Sequence, residues 1–266
     1  YADALAIRRE MGSKSGIASA LNTIANLLED QGELQQARAA AEEALSLYRE
    51  LAETRGLAAV QFRLGEIRAA QGDLAAARNH HQEALALREK LEEQGTAASS
   101  RVALAKLSLR SGDPGTAEAL AREAATVFAA QKAGDDEALA VVIVAESQLQ
   151  QGRAAAGRDA IAPATSLTRR SENRLVRFAL AIARARVDPA SGRVADARKA
   201  PETVSAEAAS LGFRGYDLDA RYALADIEVT RGDRVAGLAR LAALAKEAER
   251  LGYRGIAQRA TKSGAS

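Results

Sequence analysis

The chain of 266 residues contains no cysteine, which excludes disulfide bonds and thiolate metal sites. Aromatic residues make up only 3% of it, and proline occurs four times. Because the apolar fraction is nevertheless 47%, the core has to be built from small side chains packed closely, as they are between helices. No stretch approaches the length of a membrane span without charges, so the sequence predicts no transmembrane segment and no membrane partner.

The chain also carries no large excess of charge of one sign. The 37 basic and 35 acidic residues are interspersed and leave a net charge of +2. A nucleic-acid-binding surface requires a clustered basic stripe, so nucleic acid is not expected as a partner. The chain also lacks a Gly-rich phosphate loop with its Lys and Ser or Thr, and a Gly-x-Ser-x-Gly elbow.

The two histidines of the chain, His80 and His81, are neighbours. Neighbouring helical residues point about 100° apart, so this pair cannot chelate a metal as an i, i+4 pair can. Carboxylate pairs such as Glu42-Glu43 are typical of a solvated surface. The sequence therefore predicts no catalytic residue, no cofactor or metal site and no enzymatic activity.

Glycine recurs every 40 residues, in the series Gly32, Gly72, Gly112, Gly152, Gly192 and Gly232. A period in this range is typical of repeat architectures, in which each unit buries its apolar face only by stacking on the next. Seven residues before each glycine stands Ala25, Gly65, Ala105, Ala145, Ala185 or Ala225; five residues after each stands Ala37, Ala77, Ala117, Gly157, Ala197 or Gly237. Small residues at matched places predict two helices in close contact within each unit.

The predicted units are 16–55, 56–95, 96–135, 136–173, 174–213 and 214–253. In the second unit, Val60, Leu64 and Ile67 follow a helical period, Gly72 ends that helix and Asp73 can cap the next. In the third unit, Asp113 precedes a proline at the first helical position.

The order Leu64-Gly65, Gly72-Asp73, Ala77 and Ala84 resembles the tetratricopeptide repeat, in the long form found in kinesin light chains and in many bacterial regulatory proteins. The resemblance covers nearly the whole chain and is weakest in the fourth and fifth units. Two departures are visible: the bulky residue of the second helix is replaced by Ala41 or His81, and the usual proline near the end of that helix is absent. The resemblance implies an all-α, right-handed α-solenoid of helix-turn-helix repeats.

In the resembled family the first helices of the repeats line a concave groove, and two groove positions form ladders in this chain. The apolar ladder is Asn22, Phe62, Val102, Val142, Ile182 and Tyr222; the charged ladder is Asn26, Glu66, Lys106, Glu146, Arg186 and Asp226. The apolar ladder indicates either a binding stripe or burial between neighbouring repeats. The charged ladder alternates in sign, which indicates either self-neutralising pairs between repeats or contacts to a ligand.

These ladders indicate a protein or peptide partner, namely an amphipathic helix or an extended segment. The chaperone-tail clamp of the family is not expected, because its third-repeat basic positions are Ser99 and Ala103. We expect a non-enzymatic binding scaffold in the bacterial cytoplasm, forming the C-terminal interaction domain of a larger regulatory protein. The alternatives are a peptide-signal sensor that changes solenoid pitch on binding and a self-association module.

Two further expectations concern the irregular parts of the chain. Pro163 and Pro201 fall inside second helices, where proline removes a hydrogen bond, and predict kinked or irregular helices of low stability. Residues 1–15 are expected to be the second-helix remnant of a truncated repeat, and residues 254–266 a short capping segment with a frayed tail.

Overall fold

The computed structural model describes residues 2–169, 171–187 and 194–265, and all further statements refer to these residues. They form fourteen helices and no strand. The helices are α1 (Ala2–Glu10), α2 (Lys14–Asp30), α3 (Leu34–Glu50), α4 (Thr54–Ala70), α5 (Leu74–Lys90), α6 (Gln94–Arg110), α7 (Pro114–Ala130), α8 (Gly134–Gln150), α9 (Ala154–Leu167), α10 (Arg174–Val187), α11 (Val194–Leu211), α12 (Arg214–Arg231), α13 (Arg234–Arg250) and α14 (Arg254–Ala265). Consecutive helices pack on one another along the chain, which confirms the predicted α-solenoid. None of these helices is long and apolar enough to cross a membrane.

The turns inside the helix pairs follow the glycine series. Gly32, Gly72, Gly112 and Gly152 have φ between +75° and +83°, the left-handed region that glycine enters without steric cost. Gly232 differs, since it ends α12 with φ −127°, and Gly192 lies outside the described residues.

An aspartate after the turn caps the following helix. Asp73, Asp113 and Asp233 each accept a hydrogen bond from the backbone N–H three residues on. Glu33 stands at the equivalent place but makes no such bond. The shorter aspartate side chain is the one that reaches the free amide at a helix start.

A second series of left-handed turns joins one helix pair to the next. It comprises Gly12 (φ 65°), Ala52 (49°), Glu92 (57°), Lys132 (56°), Gly212 (79°) and Gly252 (82°). These six positions fall on the same 40-residue period as the first series. Because three of the six are not glycine, the series is invisible in the pattern of residue types.

The small residues predicted at matched positions bring the two helices of a pair together. A Cβ added at Gly157 would lie 2.9 Å from the carbonyl oxygen of Ala145, and one at Gly237 would lie 2.7 Å from the amide nitrogen of Val229. At Gly65 the added Cβ would meet the ring of buried His81 at 2.5 Å. His81 thus fills the space that the missing side chain leaves, in place of the bulky residue of the resembled repeat.

The two internal prolines do not end their helices. Pro163 lies within α9 and Pro201 within α11. Irregularity appears in the length of α9, which has 14 residues, while α2 to α8 have 17 each. The predicted turn at Asp188-Pro189 lies outside the described residues.

The expected tail is helical. α14 runs from Arg254 to Ala265, through residues that composition alone marks as frayed, and buries Ile256, Ala257 and Ala260.

The end of the solenoid returns to its beginning. A Cβ added at Gly255, in α14, would lie 2.5 Å from the carbonyl oxygen of Ala69 at the end of α4. Tyr253 donates a 3.4 Å hydrogen bond from its hydroxyl to the carbonyl oxygen of Glu29 in α2. Leu34 of α3 belongs to the same buried cluster as Tyr253. We call this contact of residues 253–258 with the turns after α2 and α4 the seam; it closes the superhelix around its axis.

Candidate functional site

The superhelix surrounds a cavity of about 690 Å³ that is open to solvent. Its helical lining residues lie on α2, α4, α6, α8, α10 and α12, the first helices of the six pairs, and on α14. None comes from a second helix of a pair. The first helices therefore form the inner wall, as the resemblance implied.

The structure places some residues of the two predicted ladders on the cavity wall and others away from it. Eight of the twelve residues line the cavity: Asn26, Glu66, Lys106, Val142, Glu146, Ile182, Arg186 and Tyr222. The other four, Asn22, Phe62, Val102 and Asp226, do not. Whether any of the twelve contacts a ligand remains a prediction.

Part of the apolar ladder is buried in packing contacts. Val102, Val142 and Tyr222 are only 7–8% exposed. Phe62 packs edge-on against the ring of His81, with centroids 5.1 Å apart, and under the guanidinium of Arg88. These contacts of Phe62 lie within one repeat, so packing accounts for Phe62 and Val102, while Val142, Ile182 and Tyr222 also line the cavity.

The second half of the charged ladder pairs with itself. The guanidinium of Arg186 lies 2.8 Å from a carboxylate oxygen of Glu146 and 3.4 Å from one of Asp226. Burial alone would lower the pKa of Arg186, but the two carboxylates raise it above its usual range. Three successive repeats are thereby cross-linked on the inner wall, each partner lying one repeat period from the next.

Glu66 in the first half of that ladder has a different partner. Its carboxylate lies 3.1 Å from Nε2 of His81, a close polar contact without hydrogen-bond alignment. Burial would raise the pKa of Glu66, but the contact with His81 and the charge of Lys106 outweigh it and hold the pKa below its usual range. Glu66 is therefore ionised at neutral pH.

Ion pairs lie on both sides of the seam. Arg63 of α4 lies 2.8 Å from the carboxylate of Glu29 on α2. Burial raises the pKa of Glu29 to about 7, although Arg63 opposes the shift. On the other side of the seam, Arg259 of α14 pairs with Asp219 of α12 and lies over the ring of Tyr222, 5.0 Å from its centroid.

Two further sets of wall residues recur with the same 40-residue period but were not predicted from the sequence. Asp30, Ala70, Arg110 and Gln150 line the cavity four residues after ladder positions; Leu139, Ala179 and Asp219 line it seven residues before ladder positions, and Arg259 lies one period after Asp219. Extending the ladders by one and two helical turns would have found both sets. What the period could not show is that α14 folds back and contributes a seventh wall segment.

The wall presents both charged and apolar groups to the cavity. Within the described ranges, no group of three or more His, Cys, Asp or Glu side chains could hold a metal ion. The wall offers guanidinium and carboxylate groups beside aliphatic and tyrosine side chains, which together can recognise a ligand carrying both charged and apolar parts.

Sequence comparison identifies the repeats. Residues 56–130 and residues 17–54 match two profiles, each described as Tetratricopeptide repeat. The matched segments are tetratricopeptide repeats. This confirms the resemblance where the periodic pattern is clearest, in the first units. No curated protein sequence matches the chain.

Solved structures extend the likeness to the rest of the chain. A Rap protein complexed with competence and sporulation factor has a TM-score of 0.72 at 14% identity, covering 96% of this chain and 66% of that one. The apo form of RapI has a TM-score of 0.68 at 11% identity, covering 92% and 83%. A Podospora anserina protein of nearly identical kinesin light chain TPR-like repeats has a TM-score of 0.55 at 16% identity, covering 73% and 94%.

At these identities the solved structures show the fold, an α-solenoid of tetratricopeptide type, and the chain spans about two thirds of the length of the Rap protein in the complex. A repeat scaffold of this kind presents an inner wall to a partner.

Proposed function

We propose that the chain is a non-enzymatic scaffold that binds a short peptide, or a short segment of a protein, inside the cavity. The observation that supports this best is the cavity itself. Its volume of about 690 Å³ falls within the roughly 300–1,000 Å³ of small-ligand sites, and a closed wall surrounds a ligand on more sides than an open groove does.

The composition of the wall favours a peptide over a purely apolar ligand. Leu109, Leu139 and Ile182 are half-buried and offer apolar contacts, while every first helix also contributes at least one charged side chain to the wall. A folded partner could not enter a space of this size, whereas an extended segment of a few residues could. The Rap protein complexed with competence and sporulation factor, a solenoid of similar shape, is itself solved with a bound factor, which adds support.

A cavity-filling variant tests the proposal. Ala179 lies on the wall on α10 and is half-buried, so tryptophan in its place occupies the cavity rather than the core. We expect wild-type protein to retain members of a random pentapeptide library, and Ala179→Trp to retain at least tenfold less. The matched control is Ala129→Trp, on the exposed side of α7 outside the cavity.

Circular dichroism confirms that both variants fold. Equal retention by Ala179→Trp and wild type would place the binding surface elsewhere and overturn the proposal.

A second candidate, a sensor whose solenoid changes pitch on binding, is favoured by the seam. A ligand can reach the cavity through its open ends, or after α14 separates from the turns that follow α2 and α4. Small-angle scattering distinguishes the two functions, since a sensor changes its radius of gyration when the retained peptide is added and a rigid scaffold does not. As a domain of a larger bacterial regulatory protein, either would pass the binding signal to an attached effector.

A further inference from the structure

We propose that Lys106 and Arg110 of α6 form an anion subsite in the cavity, which receives one carboxylate of a bound peptide. The inference rests on the proposed peptide-binding function and specifies its ligand class. Lys106 and Arg110 are four residues apart on one helix, so both side chains project from the same face, and both line the cavity.

These two cations differ from the other arginines of the wall for which a partner is described. Arg63 contacts Glu29 at 2.8 Å, Arg186 contacts Glu146 at 2.8 Å, and Arg259 contacts Asp219. In the part of the chain that the structure describes, neither Lys106 nor Arg110 makes an ion-pair contact. The contact of Arg110 that is described is a 3.5 Å approach of its guanidinium to the carbonyl oxygen of Ala69, at the limit of a hydrogen bond.

The carboxylates near this pair are already engaged. Asp219 and Glu146 act on Arg110 from a distance, but each is in direct contact with another arginine. Glu66 acts on both cations as well, but its carboxylate lies against His81. Among the described residues, these three carboxylates are thus each in contact with a side chain other than Lys106 or Arg110, which leaves the two cations available to a carboxylate of the ligand.

The surroundings of Arg110 disfavour its positive charge when no carboxylate is in direct contact with it. Burial lowers the pKa of Arg110, and the positive charge of Arg259 lowers it further. A partly buried guanidinium without a carboxylate in direct contact gains from a bidentate carboxylate, because charge-assisted hydrogen bonds of this geometry are the strong ones. Leu109, between the two cations in sequence, is half-buried and gives the adjacent part of the ligand an apolar surface.

Matched peptide pools test the subsite. We would use N-acetylated pentapeptides of Ala, Val, Leu, Tyr and Ser in four forms: with a C-terminal carboxylate; with a C-terminal amide; with an amide and one internal Asp or Glu; and with an amide and one internal Lys. Retention on immobilised protein is measured by mass spectrometry. We expect wild type to prefer a carboxylate-bearing form over the neutral amide by about tenfold or more, the worth of a charge-assisted contact. The first and third forms show whether the C-terminal or a side-chain carboxylate is used.

Variants assign that preference to the two residues. Arg110→Met and Lys106→Met keep an aliphatic stem of similar length and remove the charge. Each is expected to reduce the preference to about threefold or less, with unchanged helicity. Lys90→Met, which removes an exposed cation at the end of α5, is expected to leave it intact.

The outcomes separate the subsite from peptide binding as such. Retention of carboxylate and amide forms alike by wild type, abolished in Ala179→Trp, would overturn the subsite while peptide binding stands. A preference for the Lys-containing form would also overturn it. If no form is retained above the Ala179→Trp background, both proposals are wrong. If Arg110→Met does not fold, the wild-type preference and Lys106→Met still decide.

Discussion

Three non-glycine residues in the left-handed turns between helix pairs offer a direct test of how the repeats are joined. Ala52, Glu92 and Lys132 have φ between 49° and 57°, and their side chains are exposed. An L-residue in this conformation costs roughly 1–2 kcal/mol, whereas glycine costs about 0.5–1 kcal/mol of additional chain entropy. Replacement of each by glycine is therefore expected to stabilise the protein by about 0.5–1 kcal/mol.

The triple variant Ala52→Gly, Glu92→Gly, Lys132→Gly sums these effects, because the three turns lie in successive repeats and share no partner. A gain of about 2 kcal/mol corresponds to a rise in Tm of roughly 4–8 °C for a chain of this size. Differential scanning calorimetry measures the rise directly.

The control places the same kind of substitution in a right-handed helix. Ala129→Gly, on the exposed side of α7, is expected to lower the stability by about 1 kcal/mol. If the triple variant melts at or below the wild-type temperature, the turns are not under the backbone strain that their φ values imply, and the reasoning fails.

Three further predictions concern packing, pH and local stability. Gly237→Ala is expected to destabilise the protein by about 1–3 kcal/mol in a urea titration, since the added methyl group would lie 2.7 Å from the amide of Val229; Gly115→Ala, with 3.7 Å to its nearest neighbour, should not. Glu29 has a folded-state pKa of about 7 against an unfolded value near 4.5, so its contribution to stability is fully present at low pH and is lost as pH rises from about 4.5 to 7. Glu29→Gln should therefore raise the Tm at pH 8 and leave it unchanged at pH 4, and a rise at both values would assign the effect to packing. Hydrogen exchange should find α9 and α11 the least protected of the helices after α1, because each contains an internal proline, which cannot donate a backbone hydrogen bond; full protection there would contradict a role for the prolines.

The helix pairs and the inner wall could be predicted because both depend on local chemistry repeated once in every unit. Glycine at the turn after α2 or α4 and aspartate at the following cap act on their own neighbours, so their spacing is enough. The direction of the first helices towards the axis follows from stacking similar units. For these reasons Lys106 and Glu146 lie where the ladder places them.

The remaining features depend on side chains particular to one unit or on contacts between distant repeats. Phe62 shares a ladder position with Ile182, yet it turns to His81 and Arg88, because Gly65 leaves room for the histidine ring. The seam joins residues from opposite ends of the chain, such as Ala69 and Gly255. A repeat period describes the relation of each unit to the next and carries no information on the summed rotation that brings the last to the first.

The seam also sets a rule on how this array can evolve. An open solenoid gains or loses a repeat with little effect on the others, since each unit touches only its neighbours. Here α14 meets the turns after α2 and α4 because six helix pairs complete one circuit. An inserted or deleted pair would displace α14 by a whole repeat, breaking the hydrogen bond of Tyr253 to Glu29 and removing Arg259 from the wall. The number of repeats between α2 and α14 is therefore fixed, as subunit number is in a closed oligomeric ring.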